Sequence, residues 1–119
     1  MKKTLVLGAT ANPARYACMA IKSLVSRGHE VVGVGLKEEE VAGVKIKNEP
    51  YPFTDIDTVT LYLNPQRQRD YYDYILSLNP NRVIFNPGTE NPELYRLLRE
   101  RGIDVEIACT LVMLSTGQY

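Results

Sequence analysis

The residues best suited to chemistry lie in short loops that follow apolar runs. The first is Gly8-Ala9-Thr10-Ala11-Asn12-Pro13-Ala14-Arg15, between Thr4-Leu5-Val6-Leu7 and a helical pattern. It matches neither GxGxxG nor GxxxxGKS, so it carries neither the dinucleotide fingerprint nor a Walker loop. It does offer an opening glycine, a threonine hydroxyl, N–H groups at a helix start and the Arg15 guanidinium. Together these would seat an anion such as a phosphate. A tight turn with a solvated Arg15 fits the same spacing.

Gly35-Leu36-Lys37 follows the run Val31-Val32-Gly33-Val34, where NAD-binding units place an acid for the ribose hydroxyls. A lysine there favours a ribose that carries a phosphate, as in coenzyme A (CoA) or NADP. A charged turn is the alternative, because Glu38, Glu39 and Glu40 follow at once. Asn86-Pro87-Gly88-Thr89-Glu90-Asn91 could lay backbone amides along a ligand or simply form a turn with a helix cap. Leu63-Asn64-Pro65 completes the set of loops expected on one side.

Other reactive types are read as structural. His29, in Gly28-His29-Glu30, falls at the far end of its strand. Cys109 has no histidine placed to activate it and reads as a packing thiol. Tyr71, Tyr72 and Tyr74 cluster on one helix, with Tyr71 and Tyr74 on its core-facing side rather than stacked on a base. We assign no catalytic residue from the sequence.

These loops need a scaffold, and the chain alternates apolar runs with helical periodicity, the pattern of a parallel sheet covered by helices. Strands are expected at 4–7, 31–34, 58–63, 82–85 and 104–107. Ala17, Ala20, Ile21 and Leu24 make one helical stripe; Tyr71, Tyr74, Ile75 and Leu78 make a second; Leu94, Leu97 and Leu98 make a third. Asn12-Pro13, Asn64-Pro65 and Asn91-Pro92 each suit an N-cap followed by N1. Arg27-Gly28 and Arg101-Gly102 suit helix ends. Residues 38–57 read as a connection with little regular structure, one turn of helix and one short extended piece at most. A doubly wound sheet places its ligand beyond the carboxyl ends of the strands where strand order reverses, expected here at the loop after residue 85.

Composition narrows the partners. The 119 residues suit one domain, 1–119, and carry 14 basic and 14 acidic side chains, a net charge of zero. That balance lacks the basic footprint of a nucleic-acid binder. Cys18 and Cys109 show no metal-ligand spacing and no disulfide framework, which fits a reducing cytoplasm. Met1-Lys2-Lys3 followed by TLVLGATA imitates a signal peptide, but the apolar run is short and Pro13 and Arg15 follow, so it is read as the first strand. No stretch approaches the ~18 apolar residues of a membrane span.

Taken in order, Gly8-Ala9-Thr10 with Pro13 and Arg15, then RGHEVVGVGLK from Arg27, then FNPGTENPEL from Phe85, then the strand ending at Cys109 resemble the stand-alone coenzyme A-binding domain family. That family is similar to the N-terminal domain of the succinyl-CoA synthetase alpha subunit. The resemblance implies a Rossmann-like sheet of about five parallel strands with helices on both faces, and CoA as cofactor. It places Gly8, Ala9, Thr10 and Arg15 at the phosphates and Lys37 near the adenosine phosphate, and Asn12 of the first loop is counted among the cofactor-binding candidates. Leu63, Asn64 and Pro65 fall on the adenosine side, and Asn86, Pro87 and Gly88 along the pantetheine path. Gly35-Leu36 stands where the family has Asn-Pro, and Ala108 where it often has arginine. The synthetase histidine has no counterpart. The expected function is a CoA-binding module without established catalysis, its protein partner unknown. The alternatives are an NADP-dependent oxidoreductase-like domain and a scaffold that keeps the fold without the ligand.

Overall fold

The computed structural model describes residues 2–119. Its seven strands are β1 (Thr4–Ala9), β2 (Val31–Gly35), β3 (Glu39–Val41), β4 (Val44–Lys47), β5 (Thr58–Leu61), β6 (Arg82–Phe85) and β7 (Asp104–Ile107). They form one sheet in the order β3-β4-β2-β1-β5-β6-β7. All neighbours are parallel except the β3–β4 hairpin. The sheet is therefore mixed and seven-stranded, where about five parallel strands were expected.

The additional strands come from 38–57. Val44-Lys45-Ile46-Lys47 alternates with Val44 and Ile46 buried, and pairs beside β2 with Gly33 opposite Ile46. Glu39–Val41 folds back on it through Ala42 and Gly43, at φ 52° and 80°. That is the paired left-handed geometry of a two-residue hairpin turn.

The helices are α1 (Tyr16–Ser26), α2 (Pro65–Gln68), α3 (Tyr72–Leu78), α4 (Pro92–Glu100) and α5 (Thr110–Ser115). A 3-10 turn, Arg69–Tyr71, joins α2 to α3, so the expected second helix is broken. Alternation along β1 sorts them onto two faces. Leu5 and Leu7 join Val59, Leu61, Val83 and Phe85 against Ile75 of α3 and Leu94 and Leu98 of α4. Val6 turns the other way and meets Ala17, Ile21 and Leu24 of α1 and Leu114 of α5. Ile75 and Leu94 are fully buried, and truncating either to alanine should cost about 2–5 kcal/mol.

Two of the three expected caps are formed: Asn64 Oδ1 accepts from Arg67 N at 2.9 Å, and Asn91 Oδ1 from Leu94 N at 3.3 Å. The third is corrected. Asn12 Oδ1 accepts from Ala14 N at 3.0 Å and its carbonyl from Arg15 N at 3.0 Å, closing a turn ahead of the helix. Arg15 takes the N-cap position in an extended conformation. Gly28 and Gly102 follow their helices at φ 84° and 72°, as the sequence predicted. No described helix is long and apolar enough to cross a membrane.

Candidate functional site

Strand order reverses between β1 and β5: β2 and β4 follow on one side of β1, β6 and β7 beyond β5 on the other. The reversal was expected one strand further along, at the loop after β6. The loops leaving β1 and β5 diverge at this point and open a crevice beyond the strand ends. A cleft of about 550 Å³ lies there, walled by the loops after β1, β2, β5 and β6.

Gly8, Ala9, Thr10, Arg15, Lys37, Leu63, Asn64, Pro87 and Gly88 all line this cleft. Asn12, Pro65 and Asn86 do not. Asn12 is exposed in its turn, and Pro65 opens α2. Asn86 is buried behind the wall: Nδ2 donates to Thr60 Oγ1 at 2.7 Å and to the Leu61 carbonyl at 2.9 Å, while Oδ1 accepts from Thr110 N at 2.8 Å. With both ends of the amide engaged, Asn86 ties the end of β5 to the start of α5.

Two glycines shape the wall by yielding to the chain itself. Gly8 has φ 93°, and a Cβ there would lie 3.0 Å from the Tyr62 carbonyl carbon. The register of β1 against β2 shifts between Leu7 and Ala9, at this residue. At Gly35 a Cβ would lie 2.1 Å from the Ala9 carbonyl oxygen. The Gly35-Leu36 pair thus lets the first loop close over the end of β2. Gly88 differs: φ is 92° and nothing lies within 4 Å of the Cβ direction, so its backbone faces open space.

Three cations, Arg15, Lys37 and Arg67, line the cleft, all exposed. The ion pairs among the described residues are Lys3–Glu30 at 3.7 Å and Arg82–Glu106 at 3.4 Å, and neither involves a cleft residue. One carboxylate lines the same space: Glu39 on β3, whose Oε2 accepts from Ala11 N at 3.2 Å. Arg67 was not picked out from the sequence, since only the Asn64 cap, which starts α2 at the cleft edge, brings it there. Tyr16 and Leu36, 70% and 71% exposed, add apolar surface.

The aromatic and sulfur groups divide. Tyr71 packs against the core, as expected, and also lines the cleft. Tyr62 lines it as well, with a buried hydroxyl that has no hydrogen-bond partner among the described residues. The Thr60 and Thr110 hydroxyls beside it engage each other at 2.8 Å. Burial, with Cys109 nearby, pushes the Tyr62 phenol up to about 12, so it stays protonated at neutral pH. Cys109 is half-buried at the N-cap of α5 and is not among the cleft-lining residues. His29 sits at the amino-terminal end of the sheet, accepting from Lys2 N at 3.2 Å and stacking edge-on against Tyr119.

A family model described as CoA binding domain matches residues 2–115. None of the curated proteins matches the chain. Among solved structures, that of an uncharacterized protein is 58% identical over 100% of this chain and 98% of its own, with a TM-score of 0.97. A hypothetical protein from Pyrococcus horikoshii OT3 is 29% identical over 97% of this chain and 82% of its own, with a TM-score of 0.86. The dinucleotide-forming acetyl-coenzyme A synthetase 1 of Ca. Korarchaeum cryptofilum, in complex with phosphate and ADP, shares the fold at 17% identity. There 87% of this chain matches 25% of the synthetase, with a TM-score of 0.71. By the family match across nearly its whole length, the chain belongs to the CoA binding domain family.

Proposed function

We propose that the protein is a CoA-binding module that holds free or acylated CoA in the cleft at the β1–β5 crevice, with no chemistry of its own. The observation that carries this reading is the charge of the cleft. A chain of zero net charge directs Arg15, Lys37 and Arg67 into one crevice, beside the loop that starts α1, and gives none of the three an ion-pair partner among the described residues. Such a site suits a ligand with several phosphates. The exposed apolar surface of Tyr16 and Leu36 suits a ligand that also has weakly polar parts, which CoA has in its adenine and pantetheine.

In this reading Arg15 and the loop amides serve the pyrophosphate, and Lys37 serves the phosphate on the ribose. The loop at Leu63 and Asn64 borders the adenosine, and Pro87 and Gly88, with open space over the Gly88 backbone, border the pantetheine arm. Their role is binding and orientation; the thiol chemistry is the cofactor's. Native mass spectrometry of the purified protein tests the reading, with a co-purifying mass of CoA or an acyl-CoA as the expected result. A bound nicotinamide dinucleotide would replace it with the oxidoreductase-like alternative.

A further inference from the structure

The first loop of the cleft already holds an anion, and it belongs to the chain. Glu39 lies on edge strand β3 and is half-buried, and its carboxylate accepts the Ala11 N–H at 3.2 Å. Three other N–H groups of the loop are satisfied within the loop itself: Asn12 N donates to Thr10 Oγ1 at 3.1 Å, Ala14 N to Asn12 Oδ1 at 3.0 Å and Arg15 N to the Asn12 carbonyl at 3.0 Å. Ala11 is therefore the loop donor that the chain satisfies from outside, and it does so with a charge. The reach is long-range, 28 residues along the chain, and depends on the β3–β4 hairpin that sets Glu39 opposite Ile46. Strand alternation sends Glu40 to the opposite face, opposite Lys45.

Glu39 shares the cleft lining with three cations that have no ion-pair partner among the described residues, and its carboxylate sits on a loop amide. We propose that Glu39 is a specificity-determining residue of the cleft: an internal stand-in for a ligand phosphate that an incoming phosphate must displace from Ala11. A ligand that brings pyrophosphate replaces the carboxylate and gains the amide together with Arg15. A ligand without phosphate leaves Glu39 in place and gains neither. The carboxylate thereby lowers affinity for every phosphate ligand, and the amide is gained only by one that brings enough charge to displace it. This inference rests on the reading of the cleft as a phosphate site, and its test separates the two.

Glu39→Gln retains a side-chain oxygen that can accept from Ala11 N, so the hairpin contact survives while the charge is lost. Calorimetric titration of the wild type, Glu39→Gln and Glu40→Gln with CoA and with inorganic pyrophosphate should show Glu39→Gln binding both about three- to tenfold tighter at low ionic strength. The gain should shrink at about 0.5 M salt, as a charge effect must. Glu40→Gln, with the same change in charge on the other face, should stay within about twofold of the wild type. If CoA binds none of the three while Glu39→Gln still tightens pyrophosphate, the CoA reading fails and the role of Glu39 stands. Unchanged or weaker pyrophosphate binding by Glu39→Gln, no pyrophosphate binding up to about 10 mM, or an equal gain in Glu40→Gln would overturn the proposal.

Discussion

The side-chain carbonyl of Asn86 accepts the backbone N–H of Thr110 at 2.8 Å, and so fastens the first turn of α5 to the end of β6. The same amide's Nδ2 holds Thr60 and Leu61 on β5. One buried side chain therefore joins three elements directly behind the cleft. Asn86→Ala leaves the Thr110 N–H short of a partner in a buried setting, and such losses cost about 1–3 kcal/mol per orphaned group. Urea denaturation should show a loss of about 2–4 kcal/mol. CoA affinity per folded molecule should change far less than stability does.

Gly35 and Gly88 should respond unequally to the same substitution. In Gly35→Ala the new methyl would meet the Ala9 carbonyl oxygen, and Ala9 is itself buried and cannot move aside cheaply. Thermal melting should report a loss of about 2–4 kcal/mol, with weaker CoA binding as the first loop is pushed outward. Gly88→Ala meets open space and pays only for a positive φ, about 1–2 kcal/mol.

Lys37 should distinguish CoA from dephospho-CoA. If it reads the ribose phosphate, Lys37→Ala weakens CoA by up to about tenfold and leaves dephospho-CoA nearly unchanged, the exposed position limiting the effect. Arg15→Ala, acting on the shared pyrophosphate, should weaken both ligands alike. Isothermal titration of both variants with both ligands measures the loss of discrimination directly. Equal losses for the two ligands in Lys37→Ala would move the phosphate reader elsewhere, with Arg67 the next cation to test.

Stability should rise with pH across the histidine range. Burial is the main cause that lowers the His29 pKa below 6.5, and neighbouring positive charge, Lys2 included, adds to it. The unfolded chain thus binds the proton more readily than the folded one. His29 contributes fully above its unfolded pKa of 6.5, and that contribution fades as pH falls from there through the lower folded value. Denaturation midpoints measured between about pH 5 and 7.5 should therefore climb in the wild type and flatten in His29→Gln. At lower pH Asp57 acts in the same direction. Burial opposes its ionisation, but hydrogen bonds from Thr58 Oγ1 at 2.6 Å and Asn81 Nδ2 at 2.8 Å prevail and hold its pKa below 3.8.

Much of this architecture was legible because strand and helix periods are written in buried residues. Leu5, Val6 and Leu7 identify β1, and Ala17, Ile21 and Leu24 identify α1. The β3–β4 hairpin was hidden for physical reasons. Glu39-Glu40-Val41 is an edge strand stabilised by pairing rather than by apolar content, and Ala42 sits at a positive φ that alanine seldom marks. Asn12-Pro13 carried the residues of a helix cap, yet the Asn12 side chain closes a local turn first, and the helix begins at Tyr16. The loops of the cleft were readable from their place after strands. Arg67, Glu39 and Tyr62 were not, because what brings them to the cleft is the cap at Asn64, the hairpin and the path of the chain beyond β5, none of which local spacing encodes.

This cleft should take CoA in preference to other nucleotides. Isothermal titration of ligand-free wild-type protein with CoA, and with NAD under the same buffer and salt, tests it most directly. Saturable one-to-one binding of CoA, with NAD at least about tenfold weaker, is the predicted result. Equal affinity for the two ligands, or no heat from CoA at millimolar concentration, would contradict it.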